Sequence, residues 1–201
     1  MSTSRTVPTL VLMLIGGLPL AALAHTGVDG GTHHGFAAGF MHPLTGADHL
    51  SAMVAVGLWS ALAARRAWPD LLWAPLGFAA MLLAGAGLGL AGLQLPLVEP
   101  MIAASLLVLG LLVLTRRRLP ALAAAGLVGL FAVFHGVAHG QELATQSDAT
   151  LTLAGMLMAT LALHVAGIAA GWSLRNGHRW LPRLAGAAVA LFGVSLLAGL
   201  A

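Results

Sequence analysis

Short polar breaks cut this chain into apolar runs of nearly equal length, and no motif constrains its fold as strongly as that rhythm. Six runs lie near residues 36–63, 71–93, 97–114, 121–141, 151–173 and 183–200. Each is close to the roughly 20 residues that an α-helix needs to cross a bilayer. Lipid offers the backbone no hydrogen-bond partner, so a segment buried there must satisfy its N–H and C=O groups internally, as a helix does. The expected fold is an all-α membrane protein with a six-helix transmembrane domain over residues 36–201. Charge content agrees, since only 7% of residues are charged where soluble domains carry about 25%. The chain has no cysteine, which excludes a disulfide framework and thiolate metal sites. All nine basic residues are arginines, clustered at the ends of the apolar runs. The basic balance therefore reads as membrane topology, and no nucleic-acid partner is expected.

The arginines also fix an orientation. Arg65 and Arg66 follow the first run, Arg116, Arg117 and Arg118 the third, and Arg175, Arg179 and Arg183 the fifth. The breaks after the second and fourth runs hold Glu99 and Asp148 instead. Positively charged loops stay cytoplasmic, which puts both mature termini in the periplasm of a bacterial inner membrane. Residues 1–24 point the same way, reading as a cleavable signal peptide: Arg5, an apolar stretch from Val11 to Leu20, and the small-x-small site Ala22-Leu23-Ala24. Retention as an anchor helix is the alternative, although Gly16, Gly17 and Pro19 make it a poor span. Cleavage leaves residues 25–35 as a periplasmic, histidine-rich leader. The pairs Gly35/Gly39, Gly85/Gly89, Gly136/Gly140 and Gly167/Gly171 have the small-xxx-small spacing that lets helix backbones approach in lipid. Two three-helix halves of opposite orientation would suit an inverted repeat, but the halves show no convincing sequence similarity.

Within this apolar chain two stretches are out of place: HPLTGADH, residues 42–49, and FHGVAHGQE, residues 134–142. An aspartate at the centre of a lipid-facing helix costs about 2.5–3.5 kcal/mol, so Asp48 is expected to face the bundle interior. His42 and His49 are two turns apart, about 10 Å along a continuous helix. Pro43 predicts a break near His42, because the residue before a proline is biased out of the helical region. Asp48 can orient a histidine from another span or ligate a metal itself. His135, His139 and Glu142 fall at about 0°, 40° and −20° around one helix, a single stripe. If the two spans touch, Glu142 and His42 form an outer tier of ligands, with His135, His139, Asp48 and His49 near mid-membrane. His164 lies deeper, where it could relay an ion. His25, Asp29, His33 and His34 could capture one at the outer face. Imidazole and carboxylate suit nickel, cobalt, zinc or copper(II). The alternative for the cluster is a hydrogen-bonded network that only fixes helix packing.

These two stretches resemble the signature of the HupE/UreJ family of nickel permeases, as does the whole layout of signal segment and six spans. The motifs are His-Pro-x-x-Gly-x-Asp-His, here His42 to His49, and Phe-His-Gly-x-Ala-His-Gly-x-Glu, here Phe134 to Glu142. The chain is also similar to the wider nickel/cobalt transporter class, whose His-x4-Asp-His motif is one residue shorter than the spacing here. The resemblance implies import of Ni²⁺, and in some members Co²⁺, linked to a hydrogenase or urease maturation system. The metal would be a transported substrate, with no permanently bound cofactor and no catalytic residues. No lysine is present, so a phosphate-binding loop that could drive transport with ATP is ruled out. A membrane haem-binding or metal-binding protein without transport activity is the alternative. A zinc hydrolase is disfavoured because His135-Gly-Val-Ala-His139 lacks the glutamate of His-Glu-x-x-His.

Overall fold

The structure is a computed structural model that describes residues 35–65, 68–177 and 180–200. The expected signal peptide, and His25, Asp29, His33 and His34 of the leader, lie outside the described residues. Seven helices occur among those described: α1 (Phe36–Thr45), α2 (Ala47–Ala63), α3 (Trp73–Leu90), α4 (Val98–Thr115), α5 (Ala121–Leu143), α6 (Ala149–Leu174) and α7 (Trp180–Leu197). Five of them, α3 to α7, are long and apolar enough to cross a membrane. Among the described residues every regular element is a helix, the build of a multi-pass membrane protein.

The first apolar run is two helices, and it does not break where Pro43 predicted. Pro43 lies inside α1, and the break falls at Gly46, whose backbone is extended (φ −77°, ψ 114°). A proline in the last turn forgoes a single backbone hydrogen bond, while local donors close the helix just beyond it. The Gly46 N–H donates to the His42 carbonyl at 3.1 Å, and the Thr45 hydroxyl reaches the Met41 and His42 carbonyls, each at 3.1 Å. Glycine at the break leaves room for Asp48 and His49, which fold back over it. A Cβ there would lie 3.2 Å from Asp48 Oδ1 and 3.3 Å from His49 Nδ1.

Glycines set the helix pairing. The Gly85/Gly89 face of α3 meets the Gly136/Gly140 face of α5 so closely that a Cβ on any of the four would fall on backbone atoms of the other helix. Gly167 of α6 sits on Val54 and Gly57 of α2, Gly57 sits on the His164 carbonyl, and Gly39 of α1 meets Thr152 of α6. Gly110 of α4 and Gly186 of α7 make the third such contact. In lipid, where apolar side chains gain little by leaving the solvent, backbone approach of this kind supplies much of the attraction between helices. The principal pairs are therefore α3 with α5, α1 and α2 with α6, and α4 with α7. α3 of the first half thus packs on α5 of the second, and α6 of the second half packs on α1 and α2 of the first.

The loop ends keep to their own sides. Trp59 Nε1, near the end of α2, donates to the Arg117 carbonyl at 2.8 Å. The Arg175 guanidinium reaches the Ala64 carbonyl at 3.4 Å. The arginine-bearing ends after α2, α4 and α6 thus gather at one end of the bundle. At the opposite end, the Gln141 amide donates to the Leu93 carbonyl at 2.8 Å. Between them Met53, Val56, Trp59, Phe78, Leu106 and Leu109 are almost wholly buried and form the apolar core.

Candidate metal centre

Where α1 ends and α2 begins, the Gly46 break turns His42 and His49 toward each other. Their ring centroids are 5.5 Å apart, so the expectation of two stations about 10 Å apart along one axis is corrected. His139 arrives from α5, 4.8 Å from His42 and 4.7 Å from His49, centroid to centroid. One ligand atom from each of His42, His49 and His139 lies within 4.8 Å of the others. The expected outer and inner tiers thus merge, with His139 and His49 joining His42. His135 lies one turn along α5, 5.1 Å from the His49 ring. Since α5 packs mainly on α3 and α1/α2 mainly on α6, the imidazoles bridge the seam between two glycine-packed pairs.

Hydrogen bonds decide which nitrogen each ring offers. Asp48 Oδ1 lies 2.9 Å from His49 Nδ1. A carboxylate only accepts, so Nδ1 carries the proton and Nε2, buried and without a hydrogen-bond partner, keeps its lone pair. Asp48 therefore orients its own neighbour, not a histidine of another span. Glu142 Oε2 does the same for His139 at 3.3 Å, again leaving a buried Nε2 bare. His135 is held by a residue that the sequence did not single out. The Ser105 hydroxyl donates to the Ile102 carbonyl at 2.6 Å, so its oxygen accepts from His135 Nε2 at 3.2 Å, and Nδ1 is left buried and bare. Three imidazoles thus have one nitrogen anchored and the other buried without a partner. Metal-ligating histidines show the same division between a ligating nitrogen and a hydrogen-bonded one. A buried polar atom without a partner costs about 1–3 kcal/mol, a cost that a cation bound to these nitrogens would relieve.

Charge suits a cation. Asp48, in the first turn of α2, is placed where a helix N-terminus favours negative charge, and its side chain is 31% exposed. Glu142 is more open, at 53%, and stands at the margin. His164, expected as a relay, is fully buried but does not join the cluster. The Phe78 ring separates them, 5.8 Å from His135 on one side and 5.4 Å from His164 on the other. No sequence pattern marked Phe78. Ser105 left a faint one, as the only polar side chain between Glu99 and Thr115. An open cavity of about 400 Å³ lies away from the cluster, at the arginine end, lined in part by Trp59, Ser60, Arg65, Asp70, Trp73 and Arg118.

Comparison with known proteins bears on the whole chain. The family model described as HupE / UreJ protein matches residues 11–196. Protein HupE of Rhizobium leguminosarum bv. viciae is 43% identical over 202 residues, covering 99% of this chain and all of the relative. No solved structure matches. With both motifs lying inside the matched region, the chain belongs to the HupE/UreJ family.

Proposed function

We propose that the protein is a secondary permease that imports Ni²⁺, and Co²⁺ as a second substrate, across the bacterial inner membrane to supply a hydrogenase or urease. The observation that carries this reading is the set of three histidines anchored through one ring nitrogen and bare at the other, beside two carboxylates. Imidazole with carboxylate is a donor set for these divalent ions, and the carboxylates offset the ion's charge in a low-dielectric setting. The location also supports transport. Transporter sites form where a broken helix lines the seam between structural repeats, and half-helix C-terminal ends favour cations. Here the C-terminal end of α1 faces the cluster across the Gly46 break.

In this reading the arginine end faces the cytoplasm and both termini the periplasm, with α1 and α2 together making the first of six spans. The leader residues His25, Asp29, His33 and His34 collect the ion, Glu142 at the exposed margin receives it, and His42, His49 and His139 hold it, with Asp48 and His135 beside them. An inward dication gains about 4.6 kcal/mol at 100 mV, from about 2.3 kcal/mol per charge. At about 1.4 kcal/mol per factor of ten, that sustains a gradient of about a thousandfold without ATP. The haem reading finds little support, because rings packed 4.7–5.5 Å apart leave no room for a macrocycle between axial ligands.

The test is nickel-dependent urease or hydrogenase activity at limiting nickel, in cells that rely on this chain for import. Asp48→Ala and His135→Ala are expected to abolish it, with protein level in the membrane unchanged. Full activity in well-expressed variants contradicts the reading.

A further inference from the structure

His164 has an environment that the cluster does not explain. It is 1% exposed, and neither of its ring nitrogens has a hydrogen-bond partner, unlike His49, His135 and His139, each of which is anchored. One nitrogen must carry a proton and the other a lone pair, so the ring holds an unused donor and an unused acceptor in an apolar setting. Nearby polar atoms lie on the same α2–α6 interface. Thr160, one turn before His164 on α6, directs its hydroxyl to Met53 Sδ at 3.3 Å, and Gly57 of α2 abuts the His164 carbonyl. Gly57 is eight residues along α2 from His49, about 12 Å. Ser60, three residues further and about 4.5 Å on, already lines the cavity at the arginine end. His164 thus lies between the histidine cluster and the opening toward the arginine loops.

We propose that His164 is a second, weaker binding stop for the divalent ion, placed between the cluster and the arginine-end cavity and walled off from the cluster by Phe78. This rests on the permease reading and adds a direction to it. The cluster offers several imidazoles and two carboxylates, whereas the second stop offers one imidazole with a neutral hydroxyl and thioether on the same interface. A dication is held more loosely by neutral donors, and conduction needs a site weak enough to let the ion go. Binding strength then falls along the inward path, so the fold itself favours release at the arginine end.

The test is Co²⁺ titration of the full-length protein purified in detergent, read by visible absorption and by equilibrium dialysis, together with nickel uptake in cells. The wild type is expected to bind two ions, the second at least tenfold more weakly. His164→Leu, which keeps the volume and removes both nitrogens, is expected to lose only the weaker ion and to slow uptake at least tenfold. His164→Gln repeats the comparison if the leucine variant is absent from the membrane. One ion in the wild type, or wild-type uptake by a His164 variant, overturns the second stop. If that one ion is lost in Asp48→Ala, the permease reading still stands. No ion bound by the wild type overturns both.

Discussion

Gly136→Ala adds one methyl group and tests whether helix packing places the metal centre. Gly136 lies on α5 directly after His135, against α3. Its added Cβ would meet the Leu82 carbonyl oxygen, with Ala86 N at 2.8 Å and Gly85 Cα at 3.0 Å. These are backbone atoms, which cannot swing aside, so α5 must move away from α3. Restoring ordinary contact requires a shift of about 1 Å, and overpacking of this kind costs about 1–3 kcal/mol. Against that, alanine is favoured over glycine in a helix interior by about 0.8–1 kcal/mol, so the fold survives with a small net loss. The site is less forgiving. Two nitrogens on one ion, each about 2.1 Å from it as in zinc sites, can stand at most about 4.2 Å apart. The His42, His49 and His139 ligand atoms are already spread over up to 4.8 Å and must close in to bind, so a shift of α5, which carries His139, disturbs a spacing with no slack. The assay is nickel uptake normalised to protein in the membrane, with Gly126→Ala as control. Gly126 is on the same helix, and a Cβ there meets nothing within 4 Å. Gly136→Ala is expected to lose at least tenfold in uptake and Gly126→Ala almost nothing. Equal uptake by both would refute the idea that the α3–α5 contact positions the centre.

Other consequences follow from the same geometry. Asp48→Asn keeps a hydrogen-bond acceptor for His49 but removes a charge from a shielded position, and cobalt affinity should fall 10–100-fold, the usual cost of disturbing a ligand's orienting partner. Glu142→Gln, at the more exposed margin, should cost less than tenfold in the same titration. Ser105→Ala strips His135 Nε2 of its acceptor, and a 10–100-fold loss of cobalt affinity in an otherwise folded protein would show that the serine orients the ring. In proteoliposomes, nickel accumulation should follow an imposed inside-negative potential, approaching about a thousandfold at 100 mV, and collapse when the potential is abolished.

What could be read from the sequence was whatever depended on period and composition. Helix boundaries followed the apolar runs because lipid enforces internal hydrogen bonding, and the Gly85/Gly89 and Gly136/Gly140 spacings marked faces that do meet. His135, His139 and Glu142 share a stripe because helical geometry alone fixes it. The break was misplaced because the rule for a residue preceding proline is a bias, whereas the Thr45 hydroxyl and the Gly46 N–H decide locally where α1 closes. The 10 Å between His42 and His49, and with it the two tiers, followed from reading residues 42–49 as one continuous helix, which the extended backbone at Gly46 interrupts. Ser105 and Phe78 were not singled out because their roles exist only across helices, through contacts with His135 and His164 that no local pattern encodes.

The central claim, that this chain moves nickel through the His42–His49–His139 centre, is tested most directly by radioactive nickel uptake. Cells lacking their own nickel import would express the wild type or Asp48→Ala, with cobalt, zinc and copper as competitors. The account predicts saturable uptake by the wild type, loss of uptake in Asp48→Ala at equal protein level, and cobalt as the effective competitor. Wild-type cells that carry the protein in the membrane and take up no more nickel than Asp48→Ala cells would contradict it.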